Sequence, residues 1–193
     1  MLIHNVWRSS PSSGAHVDYM QFGEAYNVTI ENSRFDKCGE QGVFLKPITH
    51  TEADLHDFLI ENNFFGSTYD GFYILRIEAV AGGITVRNNS FVQPELTTVS
   101  APNMSFIANV GENATCASWA TYASNVFTGS GACSSTDLTA PAGFVDPSQL
   151  NLQLAPGAAA IDHGDPFSFP ATDIDGQARP IGSAPDAGAD EAG

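Results

Sequence analysis

Lys46 and Arg76 are two of only seven cationic side chains in a sequence of 193 residues, and they fall on adjacent copies of a short repeat. A base beside a cation suits removal of a proton next to a carboxylate. The base takes the proton and the cation neutralises the carboxylate. Lys46 would be that base and Arg76 that cation, with His16, Tyr19 and Tyr73 as further bases nearby. A second arrangement is a pair of carboxyls about 5–10 Å apart, which suits hydrolysis of a glycosidic bond. Asp18 and Asp70 lie two repeats apart, roughly 9.6 Å at ordinary strand spacing. They share one aligned position with Gln41 at a strand start, where Asp commonly serves the turn. Elimination therefore ranks above hydrolysis. The plainer reading of Lys46 and Arg76 is two solvated residues at strand ends.

Residues so far apart in sequence need a repeating frame to bring them together. The chain writes one phrase three times: "NVTIENSRF" at 27–35, "DFLIENNFF" at 57–65 and "GITVRNNSF" at 83–91. Ile30, Ile60 and Val86 align. Asn32, Asn62 and Asn88 follow two residues later, and Phe35, Phe65 and Phe91 three residues after those. The offsets hold while the intervals vary, 60 − 30 = 30 and 86 − 60 = 26. Weaker copies place Ile3 and Asn5 one repeat earlier and Ile107 and Asn109 one repeat later, and "SNVF" at 124–127 echoes the phrase again. Between these copies lie "DYMQF", "QGVFL" and "DGFYI", which alternate with period 2 and so read as strands. Each repeat, of about 21–30 residues, holds at least two short strands and cannot bury its apolar face alone, which points to a solenoid.

The aligned positions fit a parallel β-helix. Equivalent residues would stack about 4.8 Å apart. The Ile/Val and Phe columns would fill the interior. The Asn column would pass amide hydrogen bonds between repeats, and Asn also tolerates the left-handed backbone of a sharp turn. A buried amide needs such partners. With Met20/Phe22, Val43/Leu45 and Phe72/Ile74 turned inward, Tyr19/Gln21, Phe44/Lys46 and Tyr73/Leu75 face outward. Gln21, Phe44 and Tyr73 then form one outward column. Outward aromatics suit the apolar faces of sugar rings, or pack under a neighbouring loop.

With the repeats laid out, "VTIENSRF", "FLIENNFF" and "ITVRNNSF" resemble the short repeat of the pectate-lyase-like superfamily of right-handed parallel β-helix proteins. "LAPGAAAIDHGD", "TDIDGQARPIG" and "PDAGADE" are similar to a terminal segment of many bacterial secreted β-helix proteins. The resemblance implies an all-β chain. Residues 1–136 would form a single-stranded, right-handed parallel β-helix of about five repeats. Residues 137–193 would be a Pro/Gly-rich, irregular C-terminal tail folded along it. It also implies glycans lying along an outward ribbon, and an extracellular monomer that binds and degrades an acidic polysaccharide as a lyase-like enzyme. Lys46, Arg76, His16, Asp18 and Asp70 would be the catalytic candidates, and Tyr19, Gln21, Phe44 and Tyr73 the glycan contacts. The polygalacturonase fingerprints N-T-D, D-D, G-H-G and R-I-K are absent, which places an inverting hydrolase lower. A non-catalytic β-helix that serves as a surface or adhesion scaffold is the reading from a different class. Because such proteins carry a signal peptide, a cap and earlier coils, a C-terminal fragment is expected, with Met1 an artefact of truncation. Nothing in "MLIHNVW" reads as a signal peptide.

Composition sets further limits. Seven cations against 22 acids give a net charge of −15, which disfavours nucleic acid and anionic membranes. No apolar run is long enough for a transmembrane helix. Cys38, Cys116 and Cys133 have no metal-ligand spacing. Cys116 and Cys133 either form a disulfide or are buried thiols. The five His residues are scattered without zinc spacing. Asp173 and Asp175 stand in a D-x-D-G order reminiscent of a calcium loop, but the remaining ligands are out of register. Turn capping by these acids, with Arg179 pairing Asp173 or Asp186, is preferred, and Ca²⁺ is the one cofactor left open.

Overall fold

The computed structural model describes residues 1–6, 17–47, 54–69, 73–78, 82–92, 96–98, 101–112, 116–129 and 131–193. The chain is nearly all β, with 44% strand and 3% helix. Among the described residues no helix is long and apolar enough to cross a membrane.

Three parallel sheets carry the repeats. One contains β1 (Leu2–Val6), β4 (Arg34–Cys38), β7 (Phe64–Phe65), β10 (Ser90–Phe91), β13 (Val110–Gly111), β15 (Val126–Phe127) and β16 (Leu138–Thr139). A second contains β2 (Asp18–Phe22), β5 (Gln41–Leu45), β8 (Leu75–Ile77) and β11 (Leu96–Thr98). The third contains β3 (Ala25–Glu31), β6 (Leu55–Glu61), β9 (Gly82–Arg87), β12 (Met104–Ile107) and β14 (Ala120–Ala123). Each strand pairs with its counterpart one repeat away, and the order β3-β4-β5, then β6-β7-β8, then β9-β10-β11 gives three strands per repeat. In the tail, β17 (Phe144–Asp146) and β18 (Asn151–Leu154) pair antiparallel.

In the third sheet Ile30, Ile60, Val86, Phe106 and Tyr122 stand level. Their intervals are 30, 26, 20 and 16 residues (60 − 30, 86 − 60, 106 − 86, 122 − 106), so the repeats shorten along the chain. The Ile/Val column is as expected, but its continuation is Phe106, not Ile107. Ile3 pairs with Phe35, so it heads the Phe column rather than the Ile column.

The Phe column is a ring stack. Phe35 and Phe65 lie 4.9 Å apart and Phe65 and Phe91 5.0 Å, nearly parallel. This matches the spacing of paired strands. Gly111 holds the next position in register, between Phe91 and Phe127. Phe106 from the third sheet fills the gap, 6.1 Å from both rings.

The amide ladder runs one residue beyond the expected Asn column. Asn32, Asn62 and Asn88 occupy left-handed backbone, with φ of 49°, 57° and 49°, and so make the corner itself. Within that column Asn62 Nδ2 donates to the Asn32 side-chain oxygen at 3.2 Å, as expected, but the continuous ladder is formed by the residues after them: Ser33, Asn63, Asn89, Asn109, Asn125 and finally Asp137. Asn63 Nδ2 donates to the Asn89 side-chain oxygen at 2.9 Å and to the Ile30 and Glu61 carbonyls. Asn89 and Asn109 repeat this pattern toward Asn109 and Asn125. Each oxygen also accepts the backbone N–H of the preceding rung. All four ladder Asn are at most 0% exposed, and their polar groups are paired, as burial requires.

The tail covers the outer face of the first sheet. Leu152, Ile174 and Ala189 pack on Phe64, while Leu154, Ala160 and Ala187 pack on Ala108, Val110 and Val126. The short strands of that sheet are therefore buried on both faces, which explains "FF" and "VF" without polar alternation. Corner residues seal the junction: Asn62 Nδ2 donates to the Thr172 carbonyl at 2.6 Å and Asn88 Nδ2 to the Asp186 carbonyl at 3.2 Å. Gly188, at φ 94°, brings its N–H to the Ala108 carbonyl at 2.8 Å, and a side chain there would press on Ser90 and Val110.

Candidate functional site

The second sheet presents the candidate residues. Its register differs from the sequence expectation by three positions. Val43 pairs with Leu75, Phe44 with Arg76 and Leu45 with Ile77. Met20, Gln21 and Phe22 pair with Val43, Phe44 and Leu45 as expected. The column is therefore Gln21, Phe44, Arg76, and not Gln21, Phe44, Tyr73. The offset of 32 residues (75 − 43) puts Tyr73 level with Gln41, where Asp70 was expected. Tyr73 and Ile74 run close to β5: their carbonyls accept from Gly42 and Val43 at 2.9 and 2.8 Å. A Cβ on Gly42 would collide with the Ile74 carbonyl oxygen, so this approach needs glycine.

Lys46 and Arg76 do come together. Both pair with Glu78: Lys46 Nζ stands 3.3 Å from its carboxylate, and Arg76 is in direct contact with it. Arg76 also donates to the Gln41 side-chain oxygen at 3.1 Å. Its guanidinium lies 4.8 Å from the centre of the Phe44 ring and 5.7 Å from that of Tyr73, and Lys46 Nζ lies 5.8 Å from the Phe44 ring. Cations over ring faces are attracted by the ring quadrupole. Among the described residues the buried Arg76 Nε–H has no hydrogen-bond partner.

Two expected glycan contacts are placed elsewhere. Phe44 is 1% exposed, roofed by the two cations, so its face is not open to a sugar. Tyr19 is a core residue. Its ring packs on Phe35 at 5.3 Å and its hydroxyl accepts the Cys38 N–H at 3.0 Å. Burial holds its phenol far above the usual range. Cys38 is buried beside it, its thiol pushed up to about 12 by the same desolvation. Gln21 is exposed and Tyr73 half-buried. Asp18 pairs in register with Gln41. His16 and Asp70 lie outside the described residues, as does Phe72. Glu78 and Gln41 complete the cluster; the sequence places Glu78 beside the outward ribbon and Gln41 at a strand start but gives neither a role in the chemistry. Alternation in "LRIE" carried the signal, because it puts Arg76 and Glu78 on one face.

Asp173, Asp175 and Asp190 also gather, with carboxylate oxygens within 4.8 Å of one another. Their donors are already protein groups. Asp173 Oδ1 accepts the Asp175 and Gln177 N–H groups, and its Oδ2 accepts from Gln177 Nε2 and Glu191 N. Asp175 binds Arg34 at 2.6 Å and Gln153 at 3.0 Å, and Asp190 accepts the Leu154 N–H at 2.7 Å. Carboxylates engaged in this way are spent on turns and tail docking, and they do not fit a calcium ion well. Arg179 is the buried centre of this region. It pairs with Glu191 at 3.2 Å, not with the carboxylate of Asp173 or Asp186, and donates to the Asp186 and Gly188 carbonyls at 2.9 Å. Cys116 and Cys133 form a disulfide.

No protein-family model matches the chain, and no curated protein matches it.

Proposed function

We propose that the chain is a right-handed parallel β-helix of the pectate-lyase-like kind that binds and cleaves an acidic polysaccharide by elimination. The observation that carries this reading is the convergence of Lys46 and Arg76 on one sheet face of a protein that is otherwise strongly acidic. Arg76 would hold the uronate carboxylate. Lys46 would take the proton beside it, and Gln21 and Tyr73 would contact the chain. The stacked parallel sheets and buried Asn ladder support the β-helix part of the reading. The Cys116–Cys133 disulfide supports an oxidising, extracellular setting. The test is incubation with alginate, pectate or a glycosaminoglycan, following the ultraviolet absorbance of the unsaturated product. Activity should vanish in Lys46→Ala and in Arg76→Ala.

One observation favours a second reading, a non-catalytic glycan-binding scaffold. Glu78 already pairs with both cations and offsets part of their charge. Binding of an acidic glycan without any unsaturated product would select this reading.

A further inference from the structure

The third sheet has an outer face that the reading above does not use. Over it lies an open groove of about 630 Å³, lined by Thr29, Leu59, Thr85 and Ser105 from successive strands. These four stand level in the parallel register, so three of the four side chains in the row present hydroxyls. Members of the row recur about 4.8 Å apart, near the length that one ring adds to an extended glycan chain. Tyr26 and His56, an aromatic pair, precede the groove-lining Asn27 and Asp57 in β3 and β6. Tyr26 is 63% exposed, and its ring lies parallel to that of His56, 5.4 Å away and tilted by 8°. His56 Nδ1 is 2.8 Å from the carboxylate of Asp57, which itself lines the groove. The backbone turns left-handed at Asn27, Asp57 and Gly83, three level positions. That turn interrupts the alternation that would otherwise send Tyr26 inward with Val28 and Ile30.

We propose that this groove binds an uncharged polysaccharide lying along the repeat axis, with a sugar ring at its β3 end stacking on the face of Tyr26 turned away from His56. Ring faces meet the apolar faces of sugars, and a row of hydroxyls at matching spacing meets one residue after another. Charge selects the occupant. Arg87, the cation that lines the groove among the described residues, is held by Glu61 at 2.7 Å and by Ser168, while Asp57 and Glu31 are exposed, so a uronate chain is repelled. The site is separate from Lys46 and Arg76 and does not depend on their chemistry.

The experiment is calorimetric titration of the whole chain with cellohexaose, xylohexaose, mannohexaose and laminarihexaose. At least one should bind. Tyr26→Ala, at an exposed position, should weaken that binding roughly tenfold, the size of a lost ring contact. Thr85→Arg, which fills the groove from its floor, should abolish it, and Lys46→Ala should leave it unchanged. Unaltered binding in both groove variants overturns the proposal, as does the absence of binding to all of these oligosaccharides. Cleavage of acidic glycans by the same variants reads the other site independently.

Discussion

Asn125 gives both its backbone N–H and its side-chain Nδ2 to one oxygen of Asp137, at 2.9 and 3.0 Å. The other oxygen accepts the Cys133 and Ser134 N–H groups, each at 2.9 Å. A carboxylate has no donor to pass on, so it ends the ladder where a further Asn would leave an amide unpaired.

Asp137→Ala should therefore be costly. It strands buried donors, each worth about 1–3 kcal/mol when left unpaired. The expected loss is about 3 kcal/mol or more by urea unfolding, and Asp137→Asn should also destabilise because its amide hydrogens would face two N–H groups. A loss below about 0.5 kcal/mol would mean that the ladder does not depend on its terminal acceptor.

Phe106 spans the break that Gly111 makes in the ring stack. Phe106→Ala should cost about 3–5 kcal/mol, and Phe106→Leu less, as volume is partly kept. Both are read by denaturant midpoint at constant m-value. Equal, small effects would show that the surroundings collapse into the gap.

The sequence revealed the repeats because apolar columns demand like residues at like positions. Ile30, Ile60 and Val86 are level, and so are Phe35, Phe65 and Phe91. It concealed the job of each Asn. The doublets Asn62–Asn63 and Asn88–Asn89 divide corner and ladder between adjacent amides, and Ser33, Ala108 and Ser124 are the single positions that separate the two roles. Ile107 is displaced by one because Asn109 belongs to the ladder and its corner is Ala108, so the core place two residues before the corner falls on Phe106. In the second sheet, Tyr73 and Ile74 precede β8 and shift its register, a contact that no local pattern encodes. Phe44 does face outward in alternation, yet long cationic side chains cover it.

The Cys116–Cys133 disulfide closes a 17-residue separation in the part of the chain with the shortest repeats. Closing a loop of this length stabilises by about 3 kcal/mol in the chain-entropy account. The double variant Cys116→Ser/Cys133→Ser should lose about that much, and the untreated protein should lose it on reduction. Identical melting of oxidised and reduced protein would contradict the prediction.

Glu78 sits where an anionic ligand would meet Lys46 and Arg76. Glu78→Gln should remove the counter-charge that both cations share and raise affinity for oligogalacturonate or alginate oligomers, with a steeper salt dependence than the unaltered protein. Affinity unchanged by Glu78→Gln would remove these cations from glycan recognition.

Tail docking should strengthen on mild acidification. Asp186 is buried, and desolvation raises its carboxyl from 3.8 to about 6, against the pull of the Asp162 and Ala192 N–H groups. Asp190 is raised in the same way. A carboxyl raised in the folded state binds its proton more readily there than in the unfolded chain. Its contribution therefore grows as pH falls from about 7 toward about 4, and is lost as pH rises through 6. Asp162 is lowered by its N–H partners and acts in the opposite direction only below its ordinary range. The Gly188 N–H, bonded to the Ala108 carbonyl, reports the junction directly. Its hydrogen-exchange protection, corrected for intrinsic rate, should be greater at pH 5 than at pH 7.5, and protection that falls on acidification would reverse the assigned sign.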